Sequence, residues 1–505
     1  MPMEKEETRS LYLAAQVREL DRRTIAAGVS GFALMQRAAM AAYQAMRSRW
    51  PDTSSISVLC GAGNNAGDGY VLAALAACDG LEVELIALRD ADALTGDAAL
   101  AVGMAKQADV TIRTWRSGQA FGGGLIVDAL LGTGLAGIVR SPFSEAIETV
   151  NASGLPVFAL DIPSGLSADS GAALGVAVRA EVTITFIADK LGLHTGAASA
   201  HVGEHCLATL GVEATQHDDL APAAELLDQR LIASCLPPRP RDSHKGDQGH
   251  VLVIGGAPGF GGAALLAGEA AARLGAGKVS LATAREHVMA CLVRCPEIMV
   301  HAVDADTDIE ALLDAADIIV VGPGLGQGEW GHVMLKQSLR VAKPLVIDAD
   351  GLNLLASRWP ALKRDDWILT PHPGEAGRLL SMATDEIQID RLGAVQVLQA
   401  QRGGAIVLKG AGTLVAGPTG VGVCPYGNPG MASGGMGDAL SGMLAALLAQ
   451  GVALETAARA GVILHARAAD LAAEAGGERG LLASDLASYA RRLANPRTDD
   501  ASDTA

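Results

Sequence analysis

The chain has 505 residues, of which 50% are hydrophobic but only 3% aromatic, with 61 glycines and a formal net charge of −17. That length exceeds one ordinary core, so two or more domains are expected. Scarce aromatic surface and an acidic balance argue against nucleic acid or anionic lipid as partners, and leave room for a small anion met by local donors.

Seven cysteines lie scattered without a paired ligand spacing, which supports neither a disulfide framework nor a zinc site and points to reduced, cytoplasmic thiols. The opening Met-Pro-Met-Glu-Lys-Glu-Glu is charged and lacks the apolar core of a signal peptide. The most apolar segment, 439–449, is shorter than the roughly 20 residues of a bilayer span. No membrane helix is expected.

In chain order, Ser10 followed by Leu13, Val17, Leu20 and Ile25 predicts a capped amphipathic helix, and 32–46 predicts a second. Ile56 to Cys60 is a β-rich run. It enters the loop Gly61-Ala-Gly-Asn-Asn-Ala-Gly-Asp-Gly69, then a helix over 70–78 and a strand over 83–88. Gly61, Gly63 and Ala66 meet the permissive spacing of a dinucleotide fingerprint. However, Asn64, Asn65 and Asp68 suit hydroxyls or a hard cation better than a bare pyrophosphate cradle, and the plain alternative is an Asn/Gly turn. Two further apolar runs end similarly, at Asp128 before Gly132-Thr-Gly134 and at Asp161 before Ile-Pro-Ser164. Parallel strands deliver such ends to one crevice, where Asn65, Asp128 and Ser164 could hold a monovalent or divalent cation.

The runs Gly-Asn-Asn-Ala-Gly-Asp-Gly, Asp-Ala-Leu-Leu-Gly-Thr-Gly-Leu and Asp-Ile-Pro-Ser-Gly-Leu resemble the signatures of the NAD(P)H-hydrate epimerase family. The resemblance implies interconversion of R and S hydrated NADH and NADPH (NADHX and NADPHX) with bound potassium. It matches Asn65, Asp128 and Ser164 to the potassium ligands. Asn64, Asn65, Ala66, Gly67 and Asp68 match one substrate loop, and Gly132, Thr133, Gly134, Leu135, Ala136, Gly137 and Ile138 the other. Asp161 matches a substrate-contacting acid, suited to the proton handling that epimerisation needs. Ala66 departs from the family's usual glycine.

Polar residues 213–219, Ala221-Pro222 and Pro237-Pro-Arg-Pro240 mark a connection containing one short helix near 224–235. We expect domains over 1–220 and 241–496, a linker over 221–240 and a disordered acidic tail over 497–505. Lys245, in the turn that opens the second domain, reads more readily as solvated than as an anion ligand.

In the second half, Val251 to Ile254 runs into a glycine loop and a helix, but no Lys-Ser/Thr closes a P-loop. Apolar runs then end in turn at Gly322-Pro-Gly324-Leu-Gly326, Asp348-Ala-Asp350, Thr370-Pro-His372-Pro-Gly-Glu375 and Lys409-Gly410-Ala411-Gly412-Thr413. Alternation of such runs with helical stretches predicts a second doubly wound α/β sheet with helices on both faces. His372, held between prolines, serves either a ligand or a backbone hydrogen bond. Lys409 is read as phosphate-facing in preference to solvated. Asp348 and Asp350 read first as helix caps and second as magnesium ligands. Gly434, Gly435 and Gly437 precede an Ala/Leu helix and aim N–H groups at an anion, with Asp438 at the reacting atoms.

This ordered series resembles the ADP-dependent NAD(P)H-hydrate dehydratases, which are ribokinase-like. The resemblance implies two three-layer α/β domains, a Rossmann-like epimerase followed by a ribokinase-like dehydratase that uses ADP and magnesium. By it, Ala263, Gly324 and His372 touch the hydrate, Lys409 to Thr413 and Gly437 the nucleotide, and Asp438 the reacting hydroxyl. A homo-oligomer is expected. The rival reading is a ribokinase-like small-molecule kinase with an accessory N-terminal nucleotide-binding domain.

Overall fold

The computed structural model describes residues 9–212 and 220–495. The charged opening segment, the polar stretch 213–219 and the tail 497–505 lie outside the described residues. The chain divides between Glu225 and Leu226 into two compact units. The segment read as linker carries a strand, Ala224–Leu226, as well as a helix, Arg230–Cys235.

In the first unit an all-parallel sheet runs Ile112–Thr114, Glu82–Ala87, Ser55–Cys60, Leu125–Ala129, Val157–Leu160, Val182–Phe186, Glu204–Ala208. Alternation along each strand feeds two cores. Ile56, Val58 and Cys60 pack with helices Ala14–Ala26, Gly31–Arg49, Asn64–Cys78 and Gly96–Gln107, whereas Leu59 and Ile126 pack with Phe143–Ala152. Each such fully buried Leu or Ile contributes ~1.5–3 kcal/mol.

Three local expectations change. Ser10 opens a short strand, Ser10–Tyr12, and the first helix begins at Ala14 with Leu13 at its cap. The second helix does carry a serine cap, Ser30, whose Oγ accepts the Ala33 N–H at 3.2 Å. The helix read as starting at Tyr70 begins at Asn64 after an extended Gly63, so Asn64 to Asp68 form its first turn. Glycines at 67 and 69 misled the sequence reading. They are there because Met35 and Cys60 press on the helix where a Cβ would sit.

The second unit's sheet runs Met299–Ala302, Lys278–Thr283, His250–Ile254, Ile318–Val321, Leu345–Ile347, Trp367–Leu369, Ala405–Leu408 in parallel, then Thr413–Gly417 and Gly420–Cys424 antiparallel. Helices Gly261–Arg273, Met436–Ala449 and Leu454–Gly476 pack on one face in a single large core. Both faces of the central parallel strands are buried, which explains their unbroken apolar character. Among the described residues no single helix is long and apolar enough to cross a membrane.

Candidate functional sites

In each unit the strand order reverses between two neighbouring parallel strands, opening a crevice at their carboxyl ends. In the first unit these strands are Ser55–Cys60 and Leu125–Ala129. The backbones close tightly there: a Cβ on Gly61 would stand 1.9 Å from the Leu130 carbonyl oxygen. A cavity of about 650 Å³ sits beside this point, lined by Asn64, Asn65, Asp68, the run from Gly132 to Ala136, and Asp161. Ala66 is not among its lining and packs its methyl into the core. Gly67 likewise faces Met35, and Gly137 and Ile138 lie beyond the lining, with Ile138 71% exposed.

Beneath the cavity, Asp128 and Ser164 are fully buried. Ser164 Oγ donates to Asp128 Oδ1 at 2.6 Å and Ser164 N to Oδ2 at 2.8 Å, while Leu131 N donates to Ser164 Oγ at 2.8 Å. Asn65 Nδ2 donates to the Leu131 carbonyl at 3.2 Å, and the buried Asn65 Oδ1 has no hydrogen-bond partner. Burial pushes the Asp128 carboxyl up to about 6 against these hydrogen bonds. A buried carboxylate short of positive charge and an orphaned amide oxygen form the all-oxygen donor set that suits a hard cation.

Sequence reasoning missed two cavity residues. Lys190, 1% exposed, places Nζ 2.7 Å from Asp161 Oδ1 and 2.7 Å from Thr185 Oγ1. Asp21 comes from the first helix, and burial followed by the charge of Asp161 pushes it up to about 6. Asp68 is raised well above the usual carboxylate range, first by burial and then by Asp161. Asp161 holds a left-handed φ of 64°, which asparagine and aspartate tolerate best among side-chain-bearing residues. A charged pair inside the apolar run 186–193 was the available signal for Lys190; an acid on an amphipathic helix gave none for Asp21.

In the second unit the reversal lies between His250–Ile254 and Ile318–Val321. Their loops interlock, with Ala257 N donating to the Gly324 carbonyl at 2.8 Å. A Cβ on Gly324, whose φ is +58°, would stand 3.3 Å from the Ala263 methyl, so these two residues share one wall. Asp350 fixes that loop by accepting Gly326 N at 3.0 Å.

Lys409 is the hub. Its Nζ lies 2.7 Å from Asp348 Oδ1 and 3.8 Å from Glu375 Oε2. Asp348 also accepts Thr370 Oγ1 at 2.8 Å and Ser441 Oγ at 3.0 Å. Its side chain makes no helix-capping bond, so the capping expectation fails: the carboxylate faces the lysine. Burial alone would raise Asp348, but Lys409 and the two hydroxyls hold it below the usual carboxylate range. Asp438, in the first turn of Met436–Ala449, is pushed up to about 7 by burial and then by Asp348. Glu375 is likewise pushed up to about 7 by burial.

His372 Nδ1 accepts Gly374 N at 3.0 Å, which is the backbone role; its ring stays half exposed, with Nε2 3.4 Å from Glu375 Oε1. Lys409 to Gly412 turn a hairpin between antiparallel strands, and Arg391 braces it. Arg391 Nη2 donates to the carbonyls of Leu408 and Lys409 at 3.3 Å each. A Cβ on Gly437 would lie 3.1 Å from Lys409 Nζ, so the glycine leaves the lysine its room. Gly435 caps the following helix at φ 91°.

A family model described as NAD(P)H-hydrate dehydratase matches residues 251–492, and one described as YjeF-related protein N-terminus matches 31–192. The bifunctional NAD(P)H-hydrate repair enzyme Nnr of Coxiella burnetii is 48% identical, over 96% of this chain and 99% of its own. The Escherichia coli enzyme of the same description is 45% identical, over 94% and 91%. Among solved structures, a ribokinase-like superfamily protein from Enterococcus faecalis is 30% identical with a TM-score of 0.50, covering 54% of this chain and 98% of that one.

Proposed function

The chain belongs to the bifunctional NAD(P)H-hydrate repair enzymes, and from that membership we propose how its own residues divide the two reactions. It is an enzyme with an epimerase unit and a dehydratase unit: it interconverts the R and S hydrates and dehydrates the S form to NAD(P)H at the expense of ADP.

In the first unit, Asp161 and Lys190 exchange a proton with the hydrate hydroxyl. Protonated by Asp68 or Asp21, which burial holds high, the hydroxyl leaves one face of the ring carbon as water; water then adds to the other face, and its extra proton returns to the carboxylate. Arg18 and Arg89 line the same cavity and suit the dinucleotide's phosphates. Asn65, Asp128 and Ser164 would hold potassium, which supplies the positive charge that the buried Asp128 lacks.

In the second unit, hydroxide is a poor leaving group, so the hydroxyl is phosphorylated first. Asp438 takes the hydroxyl proton as its oxygen attacks the β-phosphorus of ADP; the P–O bond to AMP breaks, and Lys409 and the N–H groups at Gly434 to Gly437 stabilise the transferring charge. The C–O bond then breaks, releasing phosphate, and loss of a proton from the neighbouring carbon restores the ring double bond. Glu375, beside Lys409, is an oxygen donor that would suit magnesium, which would offset charge on the diphosphate. Ala263, Gly324 and His372 face the hydrate.

The observation carrying this reading is the contrast around Lys409: Asp348 is held ionised while Asp438 titrates near neutrality. That is the pairing expected of a phosphoryl-transfer base beside a charge anchor. Incubation of the chain with hydrated NADH and ADP is expected to restore NADH absorbance with AMP and phosphate as products; accumulation of a stable phosphorylated alcohol instead would identify a kinase.

A further inference from the structure

One cluster in the first unit serves neither reaction. Asp189, His194 and His205 bring one ligand atom each within 4.8 Å of one another. Asp189 is 1% exposed; His194 Nε2 stands 2.9 Å and His205 Nε2 3.2 Å from its Oδ1. The two rings meet edge to face at 5.0 Å. Arg9 takes the other carboxylate oxygen, with Nε 2.6 Å from Oδ2, and its Nη2 lies 3.1 Å from His205 Nδ1.

Guanidinium only donates, so Arg9 leaves the proton of a neutral His205 on Nε2. That nitrogen is buried and has no hydrogen-bond partner, because Asp189 Oδ1, though near, is out of line. Leaving a buried donor of this kind unpaired is costly to the fold. A metal ion would remove the cost, since Nε2 of both imidazoles and Oδ1 lie within 4.8 Å of one another, close enough to share one ion. Two nitrogens and one oxygen select a borderline divalent transition metal over magnesium or potassium. Around tetrahedral zinc, with bonds of ~2.0–2.2 Å, ligand atoms stand ~3.3–3.6 Å apart. The separations of 2.9 and 3.2 Å need widen by only a few tenths of an ångström.

We propose that Asp189 Oδ1, His194 Nε2 and His205 Nε2 form a binding site for a borderline divalent cation, zinc foremost, with water completing the shell. On metal entry each imidazole carries its proton on Nδ1. Arg9 Nη2 therefore leaves His205, while its Nε keeps Asp189 Oδ2. The ion ties the strand Asp189–Lys190 to the edge strand Glu204–Ala208. Lys190 N donates to Asp189 Oδ1 at 3.0 Å, so the tie also steadies the lysine of the epimerase cavity.

The test uses the full chain, stripped with a chelator and titrated with Zn²⁺ by calorimetry and with Co²⁺ by visible absorption. One equivalent at submicromolar affinity is expected, with the intense d–d bands of four-coordinate cobalt. His194→Gln and His205→Gln should each weaken binding by about 100-fold or more while far-UV circular dichroism and ADP-dependent dehydration stay unchanged. Failure of the wild-type chain to bind an equivalent at tens of micromolar overturns the proposal whether or not the variants fold. So does binding that survives both substitutions.

Discussion

Asp438→Asn keeps the shape of the side chain and removes its basicity. Burial and the neighbouring Asp348 push this carboxyl from an ordinary 3.8 to about 7. Above pH 7 the folded protein therefore carries an ionised group that it disfavours, at a cost of at most ~4 kcal/mol. Because the folded-state value is raised, the group's contribution to stability is complete below about pH 4, falls as pH rises and is lost above about pH 7. Asparagine escapes that loss. The variant should match wild type near pH 4 and exceed it by ~1–2 kcal/mol at pH 8, once screening of a partly exposed carboxylate is allowed for. For a unit of this size that is a gain of ~2–8 °C in Tm. Dehydration, without its general base, should fall ~10²–10⁴-fold in kcat/KM, with epimerisation at the wild-type rate. The assays are ADP-dependent recovery of NADH absorbance, chromatographic separation of R and S hydrates, and thermal melts from pH 5 to 8. Undiminished dehydration, a Tm below wild type at pH 8, or a parallel loss of epimerisation would refute the reasoning.

Asp161→Ala should abolish epimerisation and spare dehydration; an unchanged R-to-S rate would remove that carboxylate from the reaction. In Gly437→Ala the new methyl, 3.1 Å from Lys409 Nζ, should displace the ammonium and raise the KM for ADP at least tenfold, whereas an unaltered KM would place the nucleotide elsewhere. Exchanging tetramethylammonium for potassium should raise the melting temperature of the first unit, by the equivalent of ~2.7 kcal/mol at one hundred times Kd. Since Asp128 must be ionised to bind the cation, that gain should fade as pH drops through about 6 and vanish in Asp128→Asn; a cation-independent melt would count against the site.

The fold class was legible because the central strands of both sheets are parallel and buried on two faces, so they read as apolar runs ending in glycines or acids. The motif residues were legible because their chemistry sits in short segments. What escaped was whatever depends on contacts distant in sequence. Lys190 reaches Asp161 from a neighbouring strand end, and Arg391 braces Lys409 from a helix that precedes it. Asp348 read as a helix cap, since the lysine and serine that claim it are 61 and 93 residues away. Asn64 to Asp68 read as a loop because glycine marks both turns and crowded helices, and only Met35 and Cys60 tell the two apart.

Both units set a lysine against a strand-end aspartate, Lys190 buried and Lys409 half-buried, and the consequence is the same in each. A cation that satisfies one carboxylate cannot satisfy all of them, so the neighbours, left in a low-dielectric pocket of like charge, hold their protons to higher pH. Around Lys409 the favoured partner is Asp348 and the displaced ones are Asp438 and Glu375. Around Lys190 the favoured partner is Asp161 and the displaced ones are Asp68 and Asp21. Each lysine thus stands among several carboxylic acids, one of which it anchors while the others hold their protons above the usual carboxylate range. Removing Lys409 should therefore raise the pKa of Asp348 as well as unload the site. Lys409→Met is expected to shift the rising limb of the dehydration pH profile upward in addition to lowering kcat, and a fall in kcat with an unmoved profile would show that the lysine only binds phosphate.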